Sequence, residues 1–241
     1  MDAAVVTVGD ELLAGDIENT NATWLCSELT ARGVSVGRIT VIPDDEAAIV
    51  ETVRELSDAF DAVIVTGGLG NTPDDRTMEA VAAAFDRDLV VDELALEAVE
   101  RRVEQIRDRY PDFSVDHEAE AAIPAGARPL VNKAGLSPGC VVENVTVLPG
   151  IPREMKPMFE SIADEFSGDG LDRTLYTRIP EAHLIDTIET GTERFGVGIG
   201  CYPNRESGYN RLKLTGTDPD ALESAAAWLR EVIEATDDPP S

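Results

Sequence analysis

Residues 62–77 read Ala62-Val63-Ile64-Val65-Thr66-Gly67-Gly68-Leu69-Gly70-Asn71-Thr72-Pro73-Asp74-Asp75-Arg76-Thr77, followed by a helical pattern from Met78 to Phe85. This stretch decides the fold: an apolar strand, a glycine-rich turn, then a helix. Glycines at the carboxyl end of a strand let the backbone approach a ligand, and the N–H groups at a helix start favour an anion such as phosphate. Asp74 and Asp75 sit in the same loop. Carboxylates beside a phosphate repel it unless a divalent cation bridges them or the ligand offers a ribose. The loop lacks the third glycine of a dinucleotide fingerprint and the Gly-Lys-Ser/Thr end of a P-loop. Taken alone it is equally a tight turn with an aspartate capping the next helix.

Working outward, strands and helices alternate. Ala3–Val8 ends at Gly9-Asp10-Glu11, and a helix follows with Ala22, Leu25 and Leu29 on one face. A strand over 34–42 stops at Pro43-Asp44-Asp45, and Ile49, Val53, Leu56 and Phe60 mark the next helix. Strands apolar on both faces, alternating with helices, predict a parallel sheet covered on both sides. The fold class expected is therefore α/β, a three-layer, doubly wound, mostly parallel sheet. Leu96, Val99, Val103, Ile106 and Tyr110 predict a longer helix stopped by Pro111, and Met155, Phe159, Ile162 and Phe166 another. Short strands fit 128–131, 140–143 and 145–148. Beyond Gly168-Asp169-Gly170 the order becomes β-α-β-β-α, a small α+β unit. The expected domains are 1–168 and 171–236, with a frayed tail from Asp237.

The chain has 241 residues, 47 acidic and 20 basic, for a formal net charge of −27; only Lys133, Lys156 and Lys213 are lysines. That field opposes DNA, RNA and anionic membranes. A salt-rich cytoplasm, where screening shortens self-repulsion to roughly 3 Å at 1 M, is the expected setting, with a merely acidic mesophile protein as the alternative. Cys26, Cys140 and Cys201 are far apart and form no CxxC pair, so no disulfide framework is expected. No apolar run approaches the ~20 residues of a membrane span, and no signal-peptide pattern opens the chain, which places the protein in the cytoplasm.

Ligands of open parallel sheets sit beyond the carboxyl ends of the strands. By that rule the candidates are Asp10 and Glu11 with Asn19 and Asn21, then Asp44, then Gly67, Gly68, Gly70, Thr72, Asp74 and Asp75, and finally Glu154 after the strand at 145–148. Carboxylates near a phosphate loop can hold a hard cation, which polarises a phosphoanhydride and lowers the pKa of a bound water. No nucleophile–base pair is visible, so metal-assisted phosphoryl or nucleotidyl chemistry is the class that fits. Each residue also has a plainer role: Asp44 or Asp45, and Asn19 or Thr20, as helix caps, and Glu154 in a helix first turn.

Gly9-Asp10-Glu11-Leu12-Leu13, Asn19-Thr20-Asn21 and Thr66-Gly67-Gly68-Leu69-Gly70 with Asp74-Asp75-Arg76-Thr77 resemble the molybdopterin-binding domain of the MoaB/Mog superfamily. Pro149-Gly150-Ile151-Pro152-Arg153-Glu154-Met155 is similar to the CinA subtype. Gly200-Cys201-Tyr202-Pro203 with Leu212-Lys213-Leu214-Thr215 looks like its small KH-type domain. The resemblance implies either a pyrophosphohydrolase of ADP-ribose or a related nucleotide, using a divalent metal (Mg²⁺, Mn²⁺ or Co²⁺) and K⁺, or molybdopterin binding with adenylyl transfer. It assigns central roles to Asp44 and Asp75 and phosphate binding to Gly67, Gly68 and Gly70. A non-enzymatic nucleotide-binding module is the third reading. The resemblance further implies a homo-oligomer, dimer or trimer, with a small nucleotide or pterin as ligand and no nucleic-acid or membrane partner. Two features depart from the pattern. The chain stops before the deamidase domain of full-length CinA, so that activity is expected to be absent. Asn71 replaces the usual proline, while Leu69 in place of a threonine favours the CinA subtype.

Overall fold

Ala3 to Val8 are all buried, and their side chains alternate between two cores. Ala4, Val6 and Val8 join one hydrophobic cluster, and Ala3 and Val5 the other. A strand buried on both faces must lie inside a covered sheet, and the computed structural model of the protein places it there. The structure describes residues 1–70, 72–73, 75–204 and 207–240. The chain divides into two compact units, Met1–Gly168 and Asp169–Ser241.

Unit 1 begins with β1 (Asp2–Val8), a single turn α1 (Asp10–Leu13), α2 (Thr20–Ala31), β2 (Ser35–Ile42), α3 (Glu46–Ala59), β3 (Ala62–Thr66) and α4 (Thr77–Ala84). It continues with β4 (Leu89–Val91), α5 (Glu93–Arg107), α6 (His117–Glu120), β5 (Ala122–Pro124), β6 (Arg128–Leu130), β7 (Gly139–Val142), β8 (Val145–Leu148) and α7 (Pro152–Glu160). The main sheet runs β2-β1-β3-β8-β7-β6. The pairs β1–β2, β1–β3 and β3–β8 are parallel, while β7 and β6 are antiparallel additions. Helices α3 and α4 cover one face through Ile49, Val53, Leu56, Ala80, Val81 and Ala84. The other face is covered by α2 and α7 through Leu25, Leu29, Met155, Met158 and Phe159. The chain leaves β1 toward β2 on one side and returns to β3 on the other, so the loops after β1 and β3 part at a topological switch point.

The expected α/β class and parallel sheet are present, with local differences. Helix α7 ends at Glu160, so Ile162 and Phe166 lie outside it. The Ser161 hydroxyl donates to the Met158 carbonyl, and a 3-10 turn over Ala163–Glu165 closes the segment. Both apolar side chains are nevertheless buried, and Phe166 stacks on Phe159 at 5.3 Å. Tyr110, expected on the core stripe of α5, is 58% exposed because the helix has ended at Arg107. Strands β4 and β5 pair only with each other. They are three residues long, too short to show a period in sequence.

Unit 2 comprises β9 (Leu171–Thr177), α8 (Ile185–Phe195), β10 (Gly198–Asn204), β11 (Tyr209–Gly216) and α9 (Pro219–Ile233). Its antiparallel sheet has the order β10-β11-β9. Leu175, Leu212 and Leu214 from the sheet pack with Leu222, Ala225 and Leu229 of α9. The tail is tied down rather than frayed at its start. Thr236 bridges to Tyr176, and Asp237 pairs with Arg173 and Arg230. The Arg230 guanidinium, hydrogen-bonded to Asp237, holds that carboxyl below its ordinary value.

All three cysteines are free thiols. Burial in β7 pushes the Cys140 thiol up to about 12 from an ordinary value of 9.0. An unfolded chain ionises this thiol first, so its contribution to stability is complete below pH 9.0 and is lost as pH rises toward about 12. The loss has a limiting slope of about 1.4 kcal/mol per pH unit. Urea midpoints measured across this range are expected to fall more steeply for the parent than for Cys140→Ala. Equal slopes would show that the thiol ionises in the folded state.

Candidate functional site

Gly67 and Gly68 have φ values of +108° and +62°, a left-handed conformation that only glycine adopts without strain. They turn the chain sharply at the end of β3. A Cβ at Gly67 would lie 2.2 Å from the Val8 carbonyl oxygen at the end of β1, and one at Gly150 would lie 3.2 Å from the Gly67 Cα. The ends of β1, β3 and β8 therefore meet with backbone against backbone. Around this junction opens a cleft of about 590 Å³.

Two asparagines stitch the cleft floor. Asn19 caps α2 by accepting from the Ala22 N–H at 3.1 Å, and its Nδ2 donates to the Thr7 hydroxyl of β1 at 2.9 Å. Asn21 Nδ2 donates to the Gly150 carbonyl at 2.6 Å, while the Thr66 hydroxyl donates to the Pro149 carbonyl at 2.8 Å. The Gly150 contact fixes the amide orientation. It leaves the buried Asn21 Oδ1 with no hydrogen-bond partner on the cleft wall. An orphaned acceptor in such a place suits an N–H donor on a ligand. Thr7 was not expected from sequence, where it reads as an ordinary strand residue, and Thr66 enters there only as the first residue of the glycine motif.

The expected carboxylates separate by role. Asp45 is the residue that caps α3, accepting from the Ala48 N–H at 2.9 Å. Its neighbour Asp44 accepts from the Asp10 N–H at 2.8 Å and lines the cleft. Asp44 Oδ1 lies 3.5 Å from where a Gly68 Cβ would stand. Asp75 accepts through Oδ2 from the Thr72 N–H at 3.0 Å and from the Thr72 hydroxyl. That oxygen lies 2.4 Å from a Cβ built on Gly70. Glu11 lines the cleft and Asp10 does not; Asp10 is exposed and acts through its backbone N–H. Glu154 reaches the cleft wall and is 8% exposed, with Oε2 accepting from Asn132 Nδ2 at 2.9 Å. Asn132 in turn accepts from the N–H groups of Ala134 and Gly135, so Glu154 anchors the loop that carries Leu136 and Ser137 to the cleft. Asp74, expected at the metal, and Asn71 lie outside the described residues.

Among the described residues no three His, Cys, Asp or Glu side chains gather as a metal site. Asp44 and Asp75 face two glycines of one loop. Mg²⁺ is commonly held by one or two carboxylates together with substrate phosphates rather than by an all-protein cage. Both aspartates line the cleft, and two carboxylates are the kind of donor such a cation takes.

Comparison with known proteins shows the family. Residues 4–167 match the family described as "Probable molybdopterin binding domain", and residues 170–237 match "FAD synthase, middle domain". A solved structure of the protein CinA from Thermoplasma acidophilum is 34% identical, covers 68% of this chain and 97% of its own, and superposes with a TM-score of 0.61. The chain belongs to the molybdopterin-binding-domain family, CinA type. A protein of Archaeoglobus fulgidus is 35% identical over 97% of this chain and 98% of its own length. A CinA-like protein of Gemmatimonas aurantiaca is 37% identical over 97% of this chain, which spans 58% of that relative. Among the described residues of this CinA-type chain, no helix is long and apolar enough to cross a membrane.

Proposed function

We propose that unit 1 is a metal-dependent pyrophosphohydrolase of ADP-ribose or a related nucleotide. The observation that carries the reading is the placement of Asp44 and Asp75 against Gly68 and Gly70 of one glycine-rich loop. Main-chain N–H groups of the turn, together with the start of α4, hold phosphate oxygens. Asp44 and Asp75 would hold a divalent cation. When bound, that cation supplies positive charge to the phosphoanhydride and acidifies a coordinated water.

In the reaction a water oxygen bonds to one phosphorus and the bridging P–O bond breaks. AMP and a sugar phosphate result. The proton given up by the water passes to a carboxylate of the pair and then to solvent. Thr72 orients Asp75 through its N–H and hydroxyl, and the Asp10 N–H orients Asp44. Asn21 Oδ1 accepts from a ring amino group of the nucleotide.

Molybdopterin binding is the second reading, favoured by the family match over residues 4–167. A pterin amino group is also a donor to Asn21 Oδ1, so this acceptor serves either ligand. Incubation with ADP-ribose and Mg²⁺, Mn²⁺ or Co²⁺ at high KCl, followed by chromatography for AMP, separates the alternatives. AMP release is the expected result. Folded protein that releases none but retains molybdopterin would establish the pterin reading. Saturable nucleotide binding without product would mark a non-enzymatic module. Assembly as a dimer or trimer belongs to the same proposal, with light scattering as its measurement.

A further inference from the structure

Two local rules fail together where the glycine loop enters α4. A helix start is ordinarily capped by a Ser, Thr, Asp or Asn side chain. Here Arg76 holds that position and makes no side-chain capping bond. The threonine that could cap stands one place later, as the first residue of the helix. Thr77 is fully buried, and its Oγ1 has no hydrogen-bond partner among the described residues. A buried hydroxyl without a partner costs stability, and in a native fold it calls for a cause. Packing is not that cause, because valine has the same branched shape without the polar atom.

The surroundings of the hydroxyl supply one. The Thr77 N–H donates to the Gly68 carbonyl at 3.1 Å, which brings the side chain against the glycine turn. A Cβ built on Gly68 would collide with Thr77 Oγ1 and would stand 3.5 Å from Asp44 Oδ1. The hydroxyl and the carboxylate therefore lie against the same left-handed glycine. Asp44 and Gly68 line the cleft and Thr77 does not. The hydroxyl sits behind the cleft wall, where it acts on a ligand only through Asp44. Asp44 Oδ2 accepts from the Asp10 N–H at 2.8 Å, a contact about which the carboxylate can still turn. A hydroxyl donor beside Oδ1 removes that freedom.

We infer that Thr77 is a positioning residue for Asp44: its hydroxyl donates to Oδ1 when the carboxylate holds a cation, and so fixes the direction of the carboxylate. A hydroxyl bonded to an ionised acceptor is a strong, short donor. The groups that hydrogen-bond a metal-holding side chain commonly set its orientation. The inference rests on the reading of Asp44 as a cation ligand and adds to it a residue that the cleft itself does not show.

Thr77→Val removes the hydroxyl and keeps the shape, whereas Thr77→Ser keeps the hydroxyl and removes a methyl. Each is compared with the parent by melting temperature, by Mg²⁺ affinity from calorimetry in the presence of AMP, and by turnover of ADP-ribose. Thr77→Val is expected to melt no lower than the parent, since an apolar group replaces an unpartnered hydroxyl. Its Mg²⁺ affinity is expected to fall about tenfold or more, the usual effect of losing the hydrogen-bond partner of a metal-holding group. Thr77→Ser is expected to melt lower, from the lost methyl, yet to bind Mg²⁺ as the parent does. A purely structural threonine would move both readouts in the same direction. Parent-like Mg²⁺ affinity in Thr77→Val overturns the assignment. So does a weaker affinity that accompanies a lower melting temperature in both variants, which would mark a packing role. A parent that binds Mg²⁺ but releases no AMP overturns the hydrolase reading alone, with Mg²⁺ affinity still deciding the role of Thr77. A parent that binds no Mg²⁺ overturns both.

Discussion

Asp75→Asn lowers metal-dependent AMP release from ADP-ribose by about 100-fold or more, the scale seen when a preorganised electrostatic group is lost at a reacting centre. The substitution keeps the side-chain shape and removes the negative charge. The amide oxygen can still accept from the Thr72 N–H, so the loop stays folded and the melting temperature moves little. The loss therefore appears in kcat and in the affinity for Mg²⁺, measured by calorimetry in the presence of AMP. Asp44→Asn is the companion, since Asp44 faces Gly68 of the same turn. By contrast Asp45→Asn changes only a helix cap, and asparagine is as good a cap as aspartate, so its turnover stays at the parent level. Parent-like turnover in Asp75→Asn, from protein shown to bind Mg²⁺, would remove Asp75 from the reaction.

Gly67→Ala destabilises unit 1 by about 3 kcal/mol, combining a left-handed backbone with overpacking against a main-chain oxygen. The φ of +108° is strained for alanine, and its Cβ would meet the Val8 carbonyl oxygen at 2.2 Å. That oxygen belongs to β1 and cannot rotate away as a flexible side chain would. The expected drop in melting temperature is about 6–12 °C for a unit of this size. Nucleotide binding falls with it, because relief of the clash requires β1 and β3 to part at the junction that forms the cleft. A Gly67→Ala protein that melts with the parent would mean the turn tolerates a second conformation. Gly15→Ala is the informative contrast: φ is +75° but no atom lies within 4 Å of the added Cβ, so only the backbone strain remains, about 1–2 kcal/mol.

Much of this site was legible in the order of residues. Gly67 and Gly68 after an apolar strand identify a turn that only glycine can make without strain, and Asp44 and Asp75 follow strands whose carboxyl ends must face one side of a parallel sheet. Other features were not. Asp44 and Asp45 are adjacent and chemically identical, and only the helix axis decides which one caps α3 and which one meets the glycine turn. Glu154 reads equally as a ligand or as a first-turn carboxylate until Asn132 is found 2.9 Å away, 22 residues distant in sequence. Tyr110 satisfies the helical spacing but misses the core because α5 stops before it.

By itself the sequence determined the alternation of buried strands and helices, the glycine turn, and the family to which both belong, because these depend on local periodicity and on backbone conformations open to few residues. The tertiary structure alone decided which side chains share the cleft. That depends on β8 lying beside β3 and on the loop over 132–137 folding back onto Glu154. Such pairings join residues far apart in the chain, and their loop-closure cost is repaid only when the whole sheet has formed, so no short stretch of sequence records them.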